Sequence, residues 1–274
     1  MSSVGFGHDA LSDDQLRELV GLLKQVDSVE FKLTVPENDQ FSSVEAIGLD
    51  PLDAEIRQIY FFDTPELVLQ DEGVVLRARR IQQTTDDSIV KLRPVVPDTL
   101  PAELRALEEF KVEVDAMPGK FICSGSLKGQ LGAKDVKAAV TGNADLESLF
   151  SKEQRDFYAE HEPKGLKLND LSVLGPVLVH KYQVSPKEDF ARELAAELWL
   201  FPDGVRLLEV STSCAPSEMF DAQAEMRAYL SDRGIVLGSQ QQTKTSKALE
   251  YFSARLRGAN GKTGGSPAKD IPPD

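Results

Sequence analysis

From Ser28 to Val35 the chain reads SVEFKLTV. Val29, Phe31, Leu33 and Val35 fall on one side, and Ser28, Glu30, Lys32 and Thr34 on the other. That alternation predicts a strand with one apolar face. Runs of strand character recur at 55–64, 73–82, 88–95 and 108–117, and turn-forming stretches such as DEG and TTDD separate them, which suits antiparallel neighbours. Another run spans 176–185, and a hairpin turning at PDG follows, so eight strands are expected.

Helical spacing appears elsewhere. Residues 11–26 predict an amphipathic helix with Ser12 as N-cap and Gln15 completing a capping box. Residues 37–49 suit a short helix or ordered loop. Residues 132–161 read as two helices broken by TGN. PSEMFDAQAEMRAYLSDRG predicts a helix ending at Gly234, and a last one covers about 241–256 with Thr243 or Thr245 as N-cap. Residues 1–10 look like a loose arm, and the Gly/Pro-rich 257–274 like a disordered tail. One α+β domain over 11–256, with a helical insert at 132–161, is the economical reading.

The polar faces of the strands carry charges two residues apart, hence on common faces. The cations are Lys32, Arg77, Arg79, Lys91, Arg93, Lys111 and Lys181, and the carboxylates are Glu30, Glu113, Asp115, Glu197 and Glu209. Two arrangements fit. In one, a half-solvated sheet pairs opposite charges across strands. In the other, a closed barrel turns these faces inward, which requires the charges to pair or to hold a ligand.

Composition narrows the partners. The chain of 274 residues has a formal net charge of −14, which disfavours coating nucleic acid or an anionic membrane. Its longest apolar runs fall far short of a membrane span, and the N-terminus lacks the basic and apolar regions of a secretory signal, so a cytoplasmic protein is expected. Cys123 and Cys214 have no Cys or His neighbour at metal-ligand spacing and read as plain thiols.

The order of motifs resembles the CYTH domain of the triphosphate tunnel metalloenzymes, a superfamily of class IV adenylate cyclases, thiamine triphosphatases and inorganic triphosphatases. The run SVEFK is similar to its first-strand Glu-x-Glu-x-Lys. It is followed in order by YFFDTP (60–65), LRAR (76–79), VKLRP (90–94), Glu113 with Asp115, and LLEVS (207–211). The overall pattern looks like an actinobacterial, hence bacterial, branch. The resemblance implies an eight-stranded antiparallel β tunnel with inward charges and with inserted and flanking helices.

By the same resemblance Lys32, Arg77, Arg79, Lys91, Arg93 and Lys181 would bind phosphate, and Lys244 or Lys247 on the last helix could add to them. Glu30, Glu113, Asp115 and Glu209 would hold Mg²⁺ or Mn²⁺, with Glu30 and Lys32 as the catalytic pair. Two positions depart from the family's pattern: Ser28 and Ser211 stand where it carries acids. Two readings follow, both with a small anionic phosphate ligand. One is a metal-dependent triphosphatase, and the other a non-catalytic nucleotide or polyphosphate binding or sensing module. Cyclase activity is a distant third, since nothing selects adenine.

The remaining candidates read as structural. His180 adjoins Lys181 and so faces the other way, and His8 and His161 join no constellation. Trp199 shares a face with Glu197 and suits core packing. The final helix reads as a plug with Ala248, Leu249 and Phe252 on its apolar side.

Overall fold

The computed structural model describes residues 13–118, 120–163, 165–185, 190–235 and 243–262. Nine strands form a closed barrel: β1 (Ser28–Val35), β2 (Glu55–Asp63), β3 (Val74–Ile81), β4 (Asp86–Leu92), β5 (Phe110–Met117), β6 (Lys120–Leu131), β7 (Ser172–Val184), β8 (Leu194–Leu200) and β9 (Arg206–Cys214). Their order around the wall is β1-β5-β6-β4-β3-β2-β7-β8-β9. The eight-stranded, antiparallel expectation is therefore corrected. An odd number of strands cannot alternate direction all the way round a closed ring. One seam must be parallel, and it is β1 with β5, where Ser28 faces Glu113 and Glu30 faces Asp115.

The strand the sequence hid is β6. Its reading KFICSGSLKGQL carries two internal glycines, which weaken a strand pattern. Both lie where neighbours press against the backbone. A Cβ on Gly125 would stand 3.0 Å from the Phe110 ring, and one on Gly129 would stand 2.4 Å from Gln154 Oε1. Strand β7 is also longer than its sequence suggested, because a register shift opposite Ile59 and Phe61 accommodates Pro176 within it.

Helices α1 (Asp13–Leu23), α2 (Gln40–Ile47), α3 (Val68–Asp71), α4 (Ala102–Arg105), α5 (Asp135–Val140), α6 (Lys152–Ala159), α7 (Met219–Asp232) and α8 (Lys244–Lys262) complete the chain, with short 3₁₀ turns between them. The Ser12 cap and the arm at 1–10 lie outside the described residues, as do residues 263–274 of the tail. Helix α8 runs to Lys262, past the end near 256 read from sequence. Thr243 caps it as expected, its Oγ1 accepting from the Ser246 amide at 3.2 Å.

Two apolar cores hold the barrel. The outward residues of β1 (Val29, Phe31, Leu33, Val35) pack into a cluster with Leu19 of α1, Ile47 of α2, and Met226 and Leu230 of α7. The second cluster lies inside the wall. Ile59, Val179, Trp199 and Leu207 share the inward face with Arg57, Lys181, Glu197 and Glu209, and they meet Ala248, Leu249 and Phe252 of α8. Helix α8 thus plugs the barrel from within, with its N-terminal residues facing the remaining space. Among the described residues no helix is long and apolar enough to cross a membrane.

Candidate functional site: a charged tunnel

Strand alternation carries the polar faces inward. Glu30, Lys32 and Thr34 of β1 line a cavity of about 820 Å³, together with Arg77 and Arg79 of β3 and Lys91 of β4. Arg93, Lys181, Glu113, Glu197, Glu209 and Lys244 complete its charged wall. The six sequence-predicted phosphate-binding residues therefore come together on one interior. Lys111 does not join them; it is exposed near the start of β5. His180 points to the barrel's outer side, as its parity required.

The carboxylates occupy two clusters. In the first, Asp115 is wholly buried and receives Lys32 Nζ at 2.5 Å, Lys91 Nζ at 3.3 Å and Arg93 Nη2 at 3.4 Å. Lys32 also reaches Glu30 at 2.9 Å. Burial alone would raise the Asp115 carboxyl, but Lys32, Lys91 and Arg93 outweigh it and hold the group well below the usual carboxylate range. Burial likewise opposes charge on Lys32, and the Glu30 and Asp115 carboxylates reverse that and raise it. Ser28, which the resemblance marked as a departure, donates its hydroxyl to Glu113 Oε1 at 3.3 Å.

The second cluster centres on α8. Lys244 Nζ lies 2.5 Å from Glu197 Oε2 and 2.7 Å from Glu209 Oε1. Trp199 Nε1 donates to the same Glu197 oxygen at 3.1 Å, and its ring lies 5.6 Å from the ammonium. Glu197 is held below its ordinary range, since Lys244 overcomes the burial that would raise it. Of the two candidate lysines on α8, Lys244 reaches the site; Lys247 lies instead over the Phe201 ring at 6.0 Å.

Among the described residues, two cations of this charged wall, Arg77 and Lys181, make no ion pair. Arg79 makes a two-pronged contact with Asp87, at 2.7 and 2.5 Å. Its neighbour Arg77 makes no ion pair among the described residues, and its buried Nε has no hydrogen-bond partner. Burial, with Arg79 adding to it, pushes the Arg77 guanidinium down to about 10. Lys181 also makes no ion pair among the described residues, and burial followed by Arg57 lowers it.

Arg57 was missed in the sequence. It lines the cavity from a strand whose charged face was not counted, and its signal was parity with Ile59 and a Glu55 two residues away. It binds Glu55 at 2.5 Å and lies 3.9 Å from Glu197.

The proposed metal ligands Glu30, Glu113, Asp115 and Glu209 do not fit a divalent ion in this arrangement. Asp115 is shared by three cations, Glu209 is paired with Lys244, and Ser211 offers no charge beside it. Among the described residues no group of three acidic, histidine or cysteine side chains converges closely enough to hold an ion.

No family model matches the sequence, and no curated protein matches it. Solved structures do share the fold. A candidate adenylate cyclase from Bacillus halodurans superposes with a TM-score of 0.57 at 14% identity, covering 81% of this chain and 97% of its own. A candidate adenylyl cyclase from Hippeastrum, described as having a dominant triphosphatase activity, gives 0.58 at 15% identity, covering 81% and 95%. The chain thus shares its overall fold with these proteins. At such identities the likeness speaks for the fold.

Proposed function

We propose that this chain binds a small, linear phosphate anion, a triphosphate or a polyphosphate-bearing ligand, inside the tunnel. The observation that carries this reading is Arg77 with Lys181. Both are lowered by burial, both face a cavity large enough for such a ligand, and neither has a carboxylate partner among the described residues. Burying an unpaired cation is costly, and phosphate oxygens relieve that cost. Arg79, Lys91 and Arg93 stand along the same wall and would follow a chain of phosphoryl groups.

Calorimetric titration with tripolyphosphate tests this. Arg77→Met and Lys181→Met should each weaken binding by about tenfold or more, as loss of a charge-assisted contact does. Unchanged affinity in both variants would reject the reading.

Hydrolysis of the bound ligand is the second reading. It is favoured by the activity described for the Hippeastrum protein of the same fold. Here the cations would bind the phosphates and neutralise charge developing on the transferred group while water attacks. Lysines already engage Glu30, Asp115, Glu197 and Glu209, so this reading routes no step through a metal. Phosphate release from tripolyphosphate, ATP and thiamine triphosphate, compared with a Glu30→Ala control, separates an enzyme from a binding module.

A further inference from the structure

We infer that Lys244 is a tethered cation standing in the place a divalent metal would take, so that ligand binding in this tunnel needs no metal. The inference rests on the polyphosphate reading of the same cavity. Its geometric basis is the pairing of β8 with β9, which sets Glu197 directly opposite Glu209. Two carboxylates facing each other across neighbouring strands repel, and burial makes the repulsion worse. A cation between them is required. Lys244 supplies it, with its ammonium 2.5 Å from one and 2.7 Å from the other.

The ammonium is held there by folded structure. Helix α8 is seated by Ala248, Leu249 and Phe252 in the inner core, and by Ser253 Oγ donating to the Pro65 carbonyl at 2.6 Å. The Trp199 indole donates to the same Glu197 oxygen and holds that carboxylate in place. A lysine fixed in this way competes with a dissolved ion at very high effective concentration.

The rest of the wall agrees. Lys32 bridges Glu30 and Asp115 in the same manner, at 2.9 and 2.5 Å. Ser28 places a hydroxyl on Glu113, and Ser211 sits uncharged opposite Lys32 across β1 and β9. Glu30, Asp115, Glu197 and Glu209 are thereby engaged by side-chain cations, and Glu113 receives a hydroxyl, so a divalent ion would have to displace a lysine from each acidic pair.

Mn²⁺ binding tests this without reference to turnover. The full chain, stripped with EDTA and dialysed, is titrated with Mn²⁺ and followed by electron paramagnetic resonance, for wild type, Lys244→Met and Lys244→Gln. Wild type should bind Mn²⁺ at least about tenfold more weakly than either variant, because removing the ammonium exposes the Glu197 and Glu209 carboxylates. Equal binding by wild type and variants, or no binding by any of them, overturns the inference.

In a second arm, wild type is titrated with tripolyphosphate in EDTA and again with Mg²⁺. Binding in EDTA supports the inference, and a strict Mg²⁺ requirement overturns it. No binding under either condition rejects the polyphosphate reading, while the Mn²⁺ arm still judges Lys244. Should neither variant fold, the wild-type measurements decide: tight Mn²⁺ binding, a Mg²⁺ requirement or no tripolyphosphate binding overturns the inference, and weak Mn²⁺ binding together with tripolyphosphate binding in EDTA upholds it.

Discussion

Asp115 shows at the scale of one residue how the tunnel is balanced. It is fully buried, and Lys32, Lys91 and Arg93 all converge on it. Removing one partner of such a group leaves uncompensated buried charge. Asp115→Asn should therefore destabilise the fold by about 3–5 kcal/mol near neutral pH, measured by urea unfolding. The pH dependence has a definite sign. The folded carboxyl lies below its unfolded value near 3.8, so its contribution is full above that value and shrinks as pH falls towards the folded value. The gap between wild type and Asp115→Asn should hold from neutrality down to about pH 4 and narrow in stronger acid. A gap that stays constant to pH 2 would show that the charge on Asp115 does not stabilise the barrel.

Among the elements, strands with unbroken alternation were legible, and with them the charged residues of the site. Strand β1 and the paired arginines of β3 declare a polar face because period 2 leaves them no other place. What alternation cannot say is which side of a sheet is inside, and ordering the motifs against a known family supplied that. Three features stayed hidden for separate reasons. Strand β6 has small residues where Phe110 and Gln154 need room. Arg57 sits in a strand whose inward face turns apolar beyond it, at Ile59 and Phe61, because α8 packs there. The grip of Lys244 on Glu197 and Glu209 joins residues 47 and 35 positions apart, and only the seating of a helix inside the barrel brings them together. The β6 glycines offer a direct check. The Gln154 amide is buried and fixed, bonded to the Ser88 and Leu127 carbonyls at 3.2 and 3.0 Å, and its Oε1 accepts from Ser88 Oγ at 2.9 Å. It cannot swing aside without losing these bonds. Gly129→Ala should thus cost about 1–3 kcal/mol, and pairing it with Gln154→Ala should cost less than the two single losses added together. Denaturant titration of all three variants measures this coupling.

At the scale of the whole molecule, a chain of net charge −14 keeps a concentration of cations in its interior. The barrel wall is closed, and around its cavity Arg57, Arg77, Arg79 and Lys181 stand near enough for their like charges to oppose one another. An anion bound there would relieve that repulsion on β2, β3 and β7 at once, and the stabilisation would be felt by the barrel as a unit. At a ligand concentration about 100 times its dissociation constant, binding to the folded state alone contributes about 2.7 kcal/mol. For a domain of this size that corresponds to a rise in Tm of about 5 °C or somewhat more. The molecule carries its own reporter. Its single tryptophan, Trp199, is fully buried against Glu197 and the plug helix, so intrinsic fluorescence follows opening of the barrel itself. Tripolyphosphate should raise the fluorescence-detected Tm by that amount in wild type and by much less in a double Arg77→Met, Lys181→Met variant. An equal rise in both would place the anion outside the tunnel, because only an interior ligand depends on those two cations.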